Sequence, residues 1–442
     1  MQTKFISLTI ALSFMLCHQP LALAQSQTID TALAHQYFQE AQAACTQDGR
    51  KLWGISLCGP LMFVDPATRA VAANQGDAQG LLTKQGEVFV GRLPDKLPIA
   101  NFAFTWAGVK WTMVVWPFLP QDSVQRLNLM MHESYHRIQD DLKLPASNPA
   151  NDHLDSRDGR IWLQLEWRAL RQALVSQGRA RHRAVADALL FRHYRRRLFA
   201  LTDASERALE MNEGLAAYTG HKLSAKTDKE LIENLVKQID QANERPTFVR
   251  SFAYVSGPAY GVLLDAAGAS WRKGLTPHDD LGERLRQALR ISLPPDVRAK
   301  AEKQAAKYDG AGLMKAESER ELARQKRMAQ YRTRFVDGPV LLLPLTGKVS
   351  VSFNPNNLVS LDGLGTVYPT ATISDEWGSL EVSNGALLIR EAGKNTKVYV
   401  TVPADLNAQP LTGDGWSLQL SSGWAVVAGQ RPGDYVLKKL EQ

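Results

Sequence analysis

The chain has 442 residues, an apolar fraction of 44% and a formal charge of +7. That length exceeds one small core and predicts two or three domains, and the apolar share is that of an ordinary globular protein. Part of the positive charge is local, since Arg179, Arg181, Arg183, Arg192, Arg195, Arg196 and Arg197 fall in one short segment. No nucleic-acid motif accompanies them and charge runs are usually solvated faces, so no nucleic-acid partner is expected.

The N-terminus reads as an export signal over residues 1–24. Lys4 supplies the positive start, Phe5 to Cys17 is a mostly apolar run, and Leu21-Ala22-Leu23-Ala24 offers a cleavage pattern before Gln25. That run is short for a membrane span, and no later stretch reaches the length of one, so no transmembrane segment is expected. The expected location is secreted or periplasmic. With Cys17 inside the signal, Cys45 and Cys58 remain, and an exported chain with two cysteines this close predicts a disulfide; two buried thiols are the alternative.

Residues 30–46 read as a helix. Val88–Val90, then Phe102, Phe104 and Trp106 in alternation, then residues 109–116 read as strands, with Ala107-Gly108 a turn or bulge. The last of these is expected to be an edge strand, along which an extended peptide could pair. From Asp122 to about Ala329 the pattern is mostly helical. Asp122 with Gln125 caps one helix, which Pro145 stops; helices follow near 160–175 and 180–199. Asp203 with Glu206 opens another, with Gly220 its natural stop, and 296–331 reads as a charged helix pair broken at Asp309-Gly310. From Phe335 onward β-prone runs and the turn signal Asn384-Gly385 predict a sandwich-like or barrel-like β module. The expected architecture is α+β: a mainly helical domain with a small N-terminal sheet over 25–334, then an all-β module over 335–442.

His132-Glu133-Ser134-Tyr135-His136 is an H-E-x-x-H pattern. On a helix, residues four apart share a face, so both imidazoles can reach one metal ion, and Glu133 is placed to take a proton from a water that zinc activates. Met131, Tyr135, Ile138 and Leu142 form an apolar stripe beside the stripe of His132, His136 and Gln139, which makes the helix half-buried. A catalytic site needs one further protein ligand and an open position. Leu142 stands where a metzincin would have its third histidine, which leaves a downstream glutamate. Glu206, Glu210 and Glu213 share a helical face at i, i+4 and i+7, and Glu166 is a further option. Glu206 is expected as a cap partner, and Glu210 and Glu166 as salt-bridge residues with Arg207 or Arg168 among the partners. Glu213 is preferred, because the small residues of Asn212-Glu213-Gly214-Leu215-Ala216-Ala217-Tyr218 let helices approach closely.

The pairing of His132–His136 with that segment resembles the gluzincins, especially the M1-type metallopeptidases, whose second helix carries a similar N-E-G-x-A-x-Y run. The resemblance implies a zincin-like fold, zinc held by His132, His136 and Glu213, and Glu133 as general base. Tyr254-Val255-Ser256-Gly257 looks like the same family's Y-x-x-G, which implies an oxyanion role for Tyr254, with Tyr260 second. Two departures stand out. His136 and Glu213 are 77 positions apart, farther than in the M1 pattern, which implies an inserted helical hairpin. The G-x-M-E-N signature that grips a free α-amino group is also missing, and with it the mark of an aminopeptidase.

The function expected is peptide-bond hydrolysis of a peptide or protein substrate by an exported zinc metallopeptidase. The rival expectation is a zinc-containing peptide- or envelope-binding protein without turnover. His153 and His221 are weaker oxyanion candidates, and no base is pointed at Ser134.

Overall fold

The computed structural model describes residues 29–268, 270–353, 358–361, 363–391 and 394–440. The expected signal segment, with Cys17, lies outside them. By packing, the chain divides into two compact units: residues up to Ala146 together with Thr219–Lys226, and Ser147–Tyr218 together with residues from Thr227 onward.

The first unit opens with helix α1 (Thr31–Asp48), whose first turn is capped by the Asp30 carboxylate and whose end turns at Gly49. Cys45 on α1 is bridged to Cys58, with 5.2 Å between the Cα atoms. Six strands follow: β1 (Leu61–Val64), β2 (Ala70–Ala73), β3 (Thr83–Gln85), β4 (Val88–Arg92), β5 (Phe102–Trp106) and β6 (Val109–Val115). They form one sheet in the order β3-β4-β2-β1-β6-β5.

The expected edge strand is therefore internal. β6 pairs in parallel with β1, Met62 opposite Met113, and antiparallel with β5, Phe104 opposite Trp111. Its composition gives the reason: Trp111 to Val115 are all buried, and a continuous apolar run suits a strand covered on both faces. Ala107 and Gly108, both at positive φ, make the tight β5–β6 turn.

Helix α2 (Ser123–Ile138) starts at Asp122, whose Oδ1 accepts from the Gln125 amide at 2.9 Å. It ends at Ile138, ahead of Pro145, because the chain turns through Leu144, whose amide donates to the Gln139 carbonyl. Residues 219–226 complete this unit. Trp53 Nε1 donates to Thr219 Oγ1 at 2.9 Å, and a Cβ added at Gly220 would lie 2.5 Å from the Asn128 carbonyl oxygen. Gly220 thus does not stop its helix, as the sequence suggested; it lets a neighbouring backbone come close.

The second unit contains α3 (Arg157–Val175), α4 (Gly178–Leu198), α5 (Thr202–Leu209), a π-helical turn at Glu210–Gly214, and the first residues of α6 (Leu215–Ser224). It continues through α7 (Asp228–Ala242), α8 (Ala253–Ala266), α9 (Leu281–Ala288), α10 (Val297–Ala305) and α11 (Gly310–Arg332). Leu201, in a left-handed conformation, precedes α5 without a side-chain cap, so the expected Asp203–Glu206 start is not what opens it. The basic segment is only partly a solvated face: Arg179, Arg183 and Arg197 are exposed, but Arg192 and Arg195 are buried.

Beyond α11 the described strands form a seven-stranded and a five-stranded sheet. Leu341, Leu388 and Val400 from the first share a core with Ile373, Leu380 and Leu418 from the second. The chain is thus mixed α and β, helical in its middle and strand-rich at its C-terminal end. No helix among the described residues is long and apolar enough to cross a membrane.

Candidate metal centre

α2 presents its histidines because their four-residue spacing repeats almost every helical turn. The two Nε2 atoms lie 3.2 Å apart, and His132 and Glu133 are nearly buried. His136 Nδ1 lies 2.8 Å from Oε1 of the buried Gln139. With that amide oxygen as acceptor, Nδ1 would carry the proton and Nε2 would keep its lone pair for a metal. Glu133 Oε1 is 4.0 Å from His132 Nε2. Ser134, by contrast, donates its hydroxyl to the Met130 carbonyl at 2.7 Å inside the same helix.

Glu213 sits in the π-helical turn, where the Leu215 amide bonds to the Glu210 carbonyl five residues back. Gly214 in this turn meets Gly257 of α8, where a Cβ added at Gly257 would fall 2.3 Å from the Gly214 Cα. The small residues thus serve a close approach to α8. Tyr254, on the same helix, donates its hydroxyl to Glu213 Oε2 at 2.7 Å, and Arg250 Nη2 lies 3.3 Å from Oε1. Burial, and then the Glu213 carboxylate, push the Tyr254 hydroxyl well above its ordinary range.

His132, His136 and Glu213 each offer one ligand atom, and these atoms all lie within 4.8 Å of one another. Two imidazole nitrogens and a carboxylate oxygen are a donor set that suits zinc and other divalent first-row ions.

The other carboxylates considered belong to a separate buried network. Glu166 pairs with Arg192 and Arg195, and Glu210 with Arg192, whose guanidinium also reaches Asp280 at 3.1 Å. Arg195 and Arg196 hold Glu206, which His153 Nε2 meets at 2.9 Å. Salt bridges were expected of Glu166 and Glu210, but their partners come from α4 rather than being Arg168 or Arg207, and Glu206 is an ion-pair residue rather than a cap. Tyr260 donates to Glu166 Oε1 at 2.7 Å and belongs here also, as does His153. Burial alone would raise the Glu206 and Asp280 carboxyls, yet the arginines around them hold both below their usual range. Burial pushes Glu210 up despite Arg192.

Sequence reasoning did not assign roles to Gln139 or Arg250. Gln139 three residues after His136 was a usable signal, because that spacing returns to the same helical face. Arg250 had none, since its place depends on how α8 begins.

Compared with models of protein families, with curated proteins and with solved structures, the chain matches none.

Proposed function

We propose that this chain is an exported, zincin-like zinc metallopeptidase that hydrolyses peptide bonds. The observation that carries the reading is the convergence of His132, His136 and Glu213 with Glu133 adjoining His132. Export rests on the N-terminal sequence, and zinc on the donor set of His132, His136 and Glu213, three protein ligands that would hold the ion and leave room for a water.

When bound, zinc supplies Lewis acidity, making water a nucleophile near neutral pH and polarising a substrate carbonyl. The side chains do the rest. Glu133 takes the proton from the attacking water and returns it to the departing amine nitrogen. Gln139 fixes the His136 tautomer, while Tyr254 and Arg250 steady Glu213. In the reacting complex the Tyr254 hydroxyl is proposed to turn its single proton from Glu213 to the oxyanion that forms on the carbonyl oxygen, leaving Arg250 to hold the carboxylate.

The test combines metal analysis with turnover. Gently purified protein should carry close to one zinc per chain and cleave a mixed peptide library, and a chelator should stop cleavage until zinc is restored. Peptide binding without cleavage by the zinc-loaded protein would replace the enzyme by a binding protein; absence of any bound metal would end the reading.

A further inference from the structure

Resting on the hydrolase reading above, we propose that Arg250 selects substrates that present a carboxylate beside the bond to be cut. Its guanidinium touches Glu213, and the Glu213 side chain is 9% exposed against 55% for Arg250. Arg250 therefore reaches the candidate centre while more than half of its side-chain surface stays exposed. Its Nη2 donates to Glu213 Oε1 at 3.3 Å and to Asn148 Oδ1 at 3.2 Å, and the guanidinium also interacts with the Tyr254 hydroxyl. Both Nη2 bonds are long for charge-assisted bonds. Asn148 in turn accepts from the Asn212 amide at 3.1 Å, so an ordered polar shelf carries the arginine.

A guanidinium offers five donors in a rigid plane that matches a carboxylate two bonds at a time. The local field points the same way, since Arg245 and Arg250 both place positive charge at Tyr254. An anionic substrate group complements it. It can come from a peptide's own C-terminus, which makes the enzyme a carboxypeptidase, or from an acidic side chain flanking the scissile bond.

The test uses the full chain with Glu133→Gln, loaded with zinc, titrated calorimetrically with three probes. They are N-acetyl-dialanine, its C-terminal amide, and an amidated peptide containing one internal glutamate. The carboxylate probes should bind at least about tenfold more tightly than the neutral amide, the scale of a charged hydrogen-bond pair. Which of the two binds better identifies the source of the carboxylate. Adding Arg250→Gln should bring the ratio to about one, and Arg250→Lys should restore part of it. Equal binding of acid and amide, or a preference that survives Arg250→Gln, overturns the proposal. So does a variant that loses zinc while affinity for all three probes falls together, since Arg250 would then only hold Glu213. A carboxylate preference in a protein whose wild type cleaves nothing would leave Arg250 standing and remove the hydrolase.

Discussion

At the scale of single residues, the candidate centre makes predictions that separate chemistry from metal binding. Glu133→Gln keeps the shape of the side chain but not its basicity, so hydrolysis should fall by about 10²–10⁴-fold with zinc retained. Turnover and metal content measured on the same sample check this. Gln139→Ala frees the His136 ring, and zinc affinity measured by chelator competition should drop about 10–100-fold, as for lost outer-shell partners generally. Tyr254→Phe should lower kcat by about 10²–10³-fold if its hydroxyl meets the oxyanion. A fall in turnover that tracks lost zinc and is reversed by reloading the metal would confine it to holding Glu213. His132, Glu133 and His136 were legible in the sequence because their geometry is local: one helix fixes it. Glu213 was harder. In a regular helix Glu206, Glu210 and Glu213 would share one face, yet the first two point into the arginine network and the third meets the histidines. The π-helical turn, invisible to a fixed period, separates them.

At the scale of elements, helix contacts through glycine matter most. Gly257→Ala would drive a methyl into the Gly214 backbone, which cannot swing aside as a side chain can. The variant should lose about 1–3 kcal/mol in denaturant unfolding, with weaker zinc binding, because the displaced turn carries Glu213. The arginine network makes a prediction in pH. Glu206 and Asp280 are held below their ordinary values of 4.5 and 3.8. Between those values and their folded ones, the unfolded chain binds more protons than the native one. Their contribution is thus complete above pH 4.5 and declines as pH falls through the lower range, while Glu210, shifted upward, works against it. Urea titrations at pH 6 and pH 3 should show lower stability in acid, and the loss should shrink when Glu206 is replaced by Gln. Element identities were largely readable, and the misjudged ones share a cause. The burial of β6, the passage of α6 through Gly220 and the buried arginines of α4 are each set by what packs against them.

At the scale of the molecule, Cys45–Cys58 staples α1 to the loop that leads into the sheet. Closing a loop of this length contributes about 3 kcal/mol, so replacing both cysteines by serine should lower the unfolding free energy by roughly that amount. The strands from Val340 onward were foreseeable from short β-prone runs and the Asn384-Gly385 turn signal, whereas β1, β2 and β3 were not, being too short to show a period. One consequence concerns synthesis. The first unit includes Thr219–Lys226, which supply the acceptor for the Trp53 indole and the glycine against Asn128. A nascent chain cannot finish this first unit until the ribosome has passed residue 226, and by then α3, α4 and α5 have already been made. A fragment ending at residue 146 should therefore stay incompletely folded, and adding a synthetic peptide spanning 210–226 should help it mature.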